Sequence, residues 1–509
     1  MYRNLILLIL LCVLNGTVFS QKSIGYTSDN RNFKLGVRSV PEKCSAVYPV
    51  SDPNFFPIAA WYQSGSNAQA YKNAGFNMYV VPDVLTETRY NYLKAAGMKM
   101  IYMQNSFGLS HMDDPDIYAW HIGTDEPDNA QWNEVTQTYD SCINPRIMIN
   151  TYNQIKANDP SRPVYLNLGP GVADLNWSGR GKCRNNLDTY RESTNGYLKG
   201  GDIVSFDIYP VNGAYYTSKD KLWYVPKGVD SLKVWTSNSK PVWTWIESTK
   251  ISSSSSTGTP TPTHVRAEVW MALIHGVTGI GYYCHVNNPF DEAGLLHNAT
   301  MLSAVTAINN QITSLAPVLN SPSTSGYATV TSSNGAVPID ILTKNYDDAS
   351  YIFAVTMRPG ATVGTFTVTS GNVVEVIGED RIIPVVNGKF TDDFSTYAVH
   401  LYKVKTTTGV DDIYNVNNWD LLNNYPNPFD KDVTVSYKVP VSGLVSLKVF
   451  DFTGKEVANL LNENKILGEY SYNWKVASLS SGMYFLKITI QSSDTAMPIV
   501  SIRKMILEK

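Results

Sequence analysis

Three segments of the chain end an apolar run on a carboxylate: Gly123-Thr-Asp-Glu-Pro127, Phe206-Asp-Ile-Tyr-Pro210 and Trp243-Thr-Trp-Ile-Glu-Ser248. Of these acids, Glu126 and Glu247 suggest the most specific chemistry. Two carboxyl groups about 5–5.5 Å apart, one ionised and one protonated, are what cleavage of a glycosidic bond with retention requires. One attacks the anomeric carbon while the other protonates the leaving oxygen. Like charges ~5.5 Å apart at an effective dielectric near 20 repel by about 3 kcal/mol, roughly two pKa units. That repulsion holds one acid protonated near neutral pH while the other stays charged. Taken singly, each acid has a plainer reading. Asp-Glu-Pro is also a helix N-terminal signal, with acids in the first turn and proline at the start. Glu247 alone would pass for a strand-end acid capping the next loop. Only the fold can bring the two together.

The elements that would do so are legible as eight short apolar runs. They are Pro57–Trp61, Asn77–Val81, Lys99–Met103, Ile117–Gly123, Val164–Leu168, Asp202–Tyr209, Val242–Ile246 and Gly279–Tyr283. Near-continuous apolar runs, rather than strict alternation, are the pattern of parallel strands covered on both faces. Helical segments fall between them: Asn67–Ala74 stopped by Gly75, Thr86–Ala96 stopped by Gly97, Ser141–Asn158, and His264–His275 stopped by Gly276. Eight βα units over this length predict an α/β fold, a (β/α)8 TIM barrel, within residues 21–320. The alternative is an open doubly wound sheet. Its glycine-rich phosphate loop is absent after the first strand, where Trp61-Tyr-Gln-Ser-Gly-Ser66 stands instead. In a barrel the reacting groups lie at the C-terminal strand ends, which places Glu126 after strand four and Glu247 at the end of strand seven.

Glu126 within Asp-Glu-Pro on strand four, Glu247 ending strand seven and the strand-six ending Asp207-Ile-Tyr-Pro210 resemble glycoside hydrolase clan A. The resemblance spans roughly residues 55–315. It implies Glu126 as acid/base, Glu247 as nucleophile and Tyr209 as a hydrogen-bond partner of the nucleophile. Asp125 departs from the pattern, because the clan has asparagine there to donate to the sugar 2-hydroxyl. An ionised aspartate only accepts. Substrate contacts are expected from Trp61, Trp245 and Tyr283, whose rings suit the apolar faces of sugars, and from Asn167, Asp207 and His285, which suit hydroxyls. Trp120 also falls near a strand end. Each of these aromatics would equally serve as barrel packing. No C-x-x-C, H-E-x-x-H or G-x-S-x-G spacing occurs, so no metal, no cofactor and no serine-hydrolase elbow is expected.

Beyond the barrel, residues 321–405 read as a small β-sandwich and 406–417 as a polar linker. Residues 418–509 form a further all-β module of short strands and glycine turns. Asn424-Tyr-Pro-Asn-Pro-Phe429, Val449-Phe-Asp-Phe-Thr-Gly454 and Leu479-Ser-Ser-Gly-Met-Tyr-Phe485 resemble, in order, the C-terminal sorting domains of the type IX secretion system. The resemblance implies an immunoglobulin-like module addressed to that machinery, in a protein released or held at the surface of a Gram-negative bacterium after passing through the periplasm. Met1–Ser20, with Arg3, an apolar core and small residues before Gln21, predicts a cleaved signal; its core is too short to span a bilayer. No other transmembrane segment is expected. After cleavage, Cys44, Cys142, Cys183 and Cys284 remain, with a Cys142–Cys183 bridge possible and Cys284 a buried thiol.

The 509 residues carry 41 Lys+Arg against 44 Asp+Glu, a net charge of −3 and only 17% charged side chains, which leaves no basic face for nucleic acid. Asn, Ser, Thr and 32 tyrosines build the polar surface instead. Together these features predict a secreted retaining hydrolase of β-linked polysaccharide or oligosaccharide, of endo-glucanase, galactanase or mannanase type. The alternative is a surface carbohydrate-binding or adhesion protein on a barrel without catalysis.

Overall fold

The computed structural model describes residues 52–213, 219–253, 257–379, 381–405, 422–439, 441–476, 479–492 and 498–509. The expected signal, Cys44 and the linker at 406–417 lie outside these residues. Eight strands close a parallel barrel: β1 (Ile58–Trp61), β2 (Met78–Val84), β3 (Lys99–Met103), β4 (Ile117–His121), β5 (Val164–Leu168), β6 (Ile203–Asp207), β7 (Val242–Glu247) and β8 (Gly279–Tyr283). Each pairs with its neighbours in chain order and β8 returns to β1. The eight runs expected from the sequence are these eight strands.

Helix boundaries follow from their caps. Helix α1 (Ala68–Asn73) and helix α2 (Glu87–Ala95) are followed by Gly75 and Gly97, both in the left-handed region (φ 80° and 61°) that glycine reaches without strain. A short turn, α3 (Ser106–Leu109), follows β3. Helix α4 (Pro145–Asn158) starts four residues later than the pattern suggested, because Asn144 caps it and Pro145 fits the first turn. After the turn α5 (Leu187–Tyr190), helix α6 (Tyr224–Trp235), helix α7 (Pro262–Ile274) and helix α8 (Ala299–Asn320) complete the outer ring. Thr261 caps α7, accepting from the His264 N–H.

Helix α7 is buried on nearly every side, every residue from Val265 to Ile274 except Arg266 being buried. A helix of that kind must be covered on more than one side. The barrel covers one face; the other meets a β-domain, with Trp270 5.3 Å from Phe353. That domain has two antiparallel sheets. One contains β9 (Ala328–Ser332), β12 (Thr362–Val368) and β15 (Lys389–Phe394). The other contains β10 (Ile339–Tyr346), β11 (Ala349–Thr356), β13 (Val373–Val376), β14 (Arg381–Pro384) and β16 (Val399–Lys405). In this block the sequence offers Ile339–Leu342, Ser350–Thr356, Gly364–Val368, Val373–Ile377 and Tyr397–Tyr402 as strand-like runs, and strands β9, β14 and β15 have no counterpart among them.

The C-terminal module is likewise two antiparallel sheets. Strands β17 (Leu422–Tyr425), β18 (Asp432–Val439) and β21 (Gly468–Lys475) form the first. Strands β19 (Gly443–Asp451), β20 (Glu456–Lys465), β22 (Gly482–Gln491) and β23 (Ile499–Leu507) form the second. Its own core runs through Val433, Val435, Val445, Leu447, Leu486 and Ile488. The Asp-Phe-Thr-Gly stretch is a turn: Asp451 Oδ1 accepts from the Thr453 and Lys455 N–H groups, and Gly454 sits at φ 85°.

The barrel lumen is filled by Ala59, Trp61, Met78, Val80, Ile101, Ala119, Tyr165, Ile203, Trp243 and Trp245. Two indoles from one strand fit because β8 has glycine opposite each: Gly279 pairs with Trp243 and Gly281 with Trp245. A methyl group on Gly281 would lie 2.1 Å from Trp245 Cζ3. Gly281→Ala is therefore expected to lower stability by about 1–3 kcal/mol through overpacking, measured by urea unfolding. An unchanged midpoint would show that the lumen relaxes around the added carbon.

Candidate active site at the barrel mouth

After β4 the chain does not enter a helix at Pro127; it runs into a short antiparallel hairpin, Trp132–Asn133 with Thr138–Tyr139, before α4, so the Asp-Glu-Pro acids are not a helix start. Glu126 itself has φ 45°, a conformation that costs a non-glycine residue on the order of 1–3 kcal/mol and is kept where the surroundings enforce it. Those surroundings are specific. Arg180 Nη2 donates to Glu126 Oε2 at 2.6 Å, and Asn129 Nδ2 reaches the same oxygen at 3.4 Å. The other oxygen, Oε1, lies 2.8 Å from where a side chain on Gly169 would begin, so only glycine fits beneath it.

Asp207, at the end of β6, is in hydrogen-bonding contact with Glu126. Burial, then the neighbouring charges of Glu126 and Asp125, hold its carboxyl well above the usual range, so Asp207 carries the proton and donates it to Glu126. Asp207 Oδ1 has no partner among the described residues. Asp125 completes the cluster from the β4 side. Asn167 Nδ2 donates to its Oδ1 at 2.9 Å, and Ser205 Oγ in turn donates to Asn167 Oδ1 at 2.6 Å. Burial and the Glu126 charge push Asp125 up to about 7. Asp128, fully buried, is also pushed up to about 7 by burial and Glu126, and it accepts from the Gly169 N–H and the Tyr190 hydroxyl, each at 2.8 Å. Three aspartates thus surround Glu126, which is itself paired with one guanidinium.

Glu247, at the end of β7, has a different set of partners. It is fully buried; its Oε1 accepts from the Val211 N–H at 2.6 Å, and its Oε2 accepts from the Asn212 N–H and Nδ2 at 2.7 and 2.6 Å. Its remaining neighbour is Glu268 of α7, also fully buried and in hydrogen-bonding contact with it. Neither oxygen of Glu268 meets any N–H or hydroxyl donor in the described structure, so the contact exists only with one proton shared between the two carboxyls. Burial raises both, Glu268 the more strongly because it also faces the Glu247 charge. The partners of Glu247 therefore come from the loop after β6 and from α7. Those of Glu126 come from the loops after β4 and β5 and from β6. The structure groups Glu126 with Asp207, and Glu247 with Glu268.

The other expected contacts divide between floor and rim. Trp61 and Trp245 meet edge to face at 4.9 Å, and Trp245 Nε1 donates to the Tyr165 hydroxyl at 2.8 Å; both tryptophans are buried in the lumen as the floor of the mouth. His121 shares that floor. Burial lowers it to about 3, so it is neutral, and the Gly123 N–H donates to its Nδ1 at 3.0 Å. Tyr209, Tyr283 and His285 form a rim, with ring centres 5.4 and 5.1 Å apart in sequence. Tyr209 thus packs on Tyr283 rather than on Glu247. Trp120 points outward, its Nε1 donating to Asp159 at 2.8 Å, and takes no part. On the side of β8, β1 and β2 a groove of about 740 Å³ opens between Tyr62, Tyr92, His285, Phe290 and the Asp83–Arg89 ion pair.

Arg180, Asp128, Asn129 and Tyr190 are site residues that strand-end reasoning did not find. The available signal was the Trp177-Ser-Gly-Arg-Gly-Lys-Cys183 stretch, whose cysteine bonds to Cys142 and so ties that loop to the one bearing Glu126. Cys284 is a buried free thiol.

Residues 423–502 match the secretion system C-terminal sorting domain family. Curated protein sequences give no match. Among solved structures, a GH30 endoxylanase from Clostridium papyrosolvens is 13% identical, covering 69% of this chain and 96% of its own, with a TM-score of 0.38. A maltogenic α-amylase from Thermotoga neapolitana is 9% identical over 70% and 99%, with a TM-score of 0.40. A catalytic mutant of a GH42 β-galactosidase from G. stearothermophilus is 8% identical over 69% and 98%, with a TM-score of 0.44. Likenesses this distant say nothing about what this chain acts on; what the comparisons establish is that its C-terminal module is a secretion-system sorting domain.

Proposed function

We propose that the chain is an exported glycoside hydrolase that cleaves β-linked oligosaccharide or polysaccharide with retention at the mouth of its barrel. The observation that carries the reading is the Asp207–Glu126 pair, one proton between two carboxyls, under Arg180 at the C-terminal strand ends. The pair is the acid/base unit. The proton resting on Asp207 passes through Glu126 to the leaving glycosidic oxygen, and the same pair later takes a proton from the water that frees the sugar. Glu247 is the nucleophile: at the end of β7 its carboxylate is held by three N–H donors of the loop after β6. Asp125 stands where a donor to a sugar hydroxyl is expected. Near neutral pH its O–H still supplies one, so the carboxyl group takes over the role of an amide. The sorting domain supports export to the cell surface or beyond through the secretion machinery.

A second reading, a carbohydrate-binding barrel without turnover, is favoured by one observation: Glu247 is sealed from solvent with both oxygens occupied. Release of reducing sugar from a panel of β-glucans, xylans, galactans and mannans separates the two. For a hydrolase, Glu247→Gln removes turnover while circular dichroism stays unchanged, and Glu126→Gln lowers it on the order of 10²–10⁴-fold, the usual share of general acid catalysis. Saccharide binding without release by the parent supports the binding protein instead, and Glu247→Gln turning over within tenfold of the parent removes Glu247 as the nucleophile.

The pH profile tests the role of Asp125. Its folded value lies above its ordinary one, so its O–H donor is present at acid pH and lost as pH rises through about 7. An alkaline fall in kcat/KM is expected there. Asp125→Asn keeps an N–H donor at every pH, and should carry the activity to higher pH. A profile that this variant leaves in place removes Asp125 from the reaction.

A further inference from the structure

The loop bearing Arg180 has little structure of its own. Arg180–Lys182 is a single 3-10 turn with Gly181 at φ 62° inside it, and its internal bonds are Gly179 N–H to Cys183 O at 2.9 Å, Lys182 N–H to Gly179 O at 3.1 Å and Cys183 N–H to Arg180 O at 3.2 Å. What fixes it is the neighbouring β4–α4 loop. The Arg180 N–H donates to Asn129 Oδ1 at 2.6 Å, its Nε to Ala130 O at 3.2 Å and its Nη2 to Glu126 at 2.6 Å. A side chain on Gly181 would begin 2.6 Å from the Ala130 methyl group and 2.7 Å from Asp140 O, so the two loops are in backbone contact. The Cys142–Cys183 disulfide closes this contact covalently, joining positions 41 apart in sequence. Cys142 stands just ahead of α4, and the Cys183 side is buried.

We infer that the Cys142–Cys183 disulfide is the positioning device of the site: it holds Arg180 on Glu126, and reduction releases the arginine while the barrel stays folded. Its consequence for turnover rests on the hydrolytic reading; the positioning itself does not. Arg180 is ion-paired with Glu126, whose charge also acts on Asp125, Asp128 and Asp207, so its departure leaves Glu126 facing the three aspartates without that compensation. Arg180 is half exposed on its outer side, where solvent reaches it.

The experiment compares the full chain with three variants: Cys142→Ser plus Cys183→Ser, Arg180→Ala, and all three changes together. Hydrogen exchange read by mass spectrometry is expected to quicken at least about tenfold for the Arg180 and Cys183 amides when the disulfide is removed, with β5 and β6 unaffected, and trypsin is expected to cut after Arg180. Turnover should fall by ~10²-fold in the disulfide-free chain and to the same extent in Arg180→Ala, a loss typical of a misplaced catalytic group. The combined variant should be no slower than Arg180→Ala alone, because both changes remove one interaction. Arg180→Lys should recover part of the activity. Slow exchange at Arg180 in the disulfide-free chain overturns the inference, and so do losses that multiply in the combined variant. A parent chain without turnover on any glycan sinks the hydrolytic reading, and exchange and proteolysis then decide the positioning by themselves.

Discussion

A neutral carboxyl pressed against a charged one is the contact on which the mouth of this barrel depends. Two carboxylates ~4 Å apart at an effective dielectric near 20 would repel by about 4 kcal/mol, close to three pKa units. The Asp207–Glu126 contact therefore survives at neutral pH only with a proton in it, and burial of Asp207 adds in the same direction. Asp125 and Asp128 feel the same field, which is why both are pushed up to about 7. The arrangement stores protons in a chain that has few charges to spare, and Arg180 keeps it from being a purely repulsive cluster.

The floor under that cluster is set by shape. Trp243 and Trp245 fill the lumen because β8 presents Gly279 and Gly281 to them, and Trp61 closes the remaining gap edge to face. A lumen filled this high leaves no depth for a ligand along the barrel axis. The same filling bears on Glu247. With the indole of Trp245 occupying the centre, the next inward position on β7 is crowded, and the loop after β6 offers three N–H donors on the other side. A carboxylate goes where its lone pairs are met.

This explains what was legible in the residues and what was not. The eight barrel strands could be read because parallel strands buried on both faces leave unbroken apolar runs, and the glycine stops of α1 and α2 because a left-handed residue after a helix favours glycine. Strand-end direction could not be read. Alternation holds inside a strand, where neighbours enforce it, and lapses at the last residue. That is why Glu247 meets Glu268 and why Tyr209 packs on Tyr283. Trp120 near a strand end was indistinguishable by type from Trp61, yet one binds Asp159 outside the barrel and the other lines the lumen. Strands β9, β14 and β15 are short or polar on one face, and carry too little pattern to separate from turns. Arg180 was invisible for a different reason. Its partners are some fifty residues away, and no local rule links a Gly-Arg-Gly turn to Glu126.

The disulfide and the sorting domain bear on each other through compartment. A bridge between two surface loops persists only in an oxidising environment, the environment an exported chain meets once it leaves the cytoplasm. If Arg180 sits on Glu126 only after Cys142 and Cys183 have joined, the acid cluster is completed outside the cell's reducing interior. Before that, four carboxyls without their guanidinium would favour extra protonation and a looser loop, a state poor at binding and at chemistry. The sorting domain carries its own separate core, built from its own two sheets, so its folding does not draw on these contacts. Address and acid cluster are thus specified by different residues.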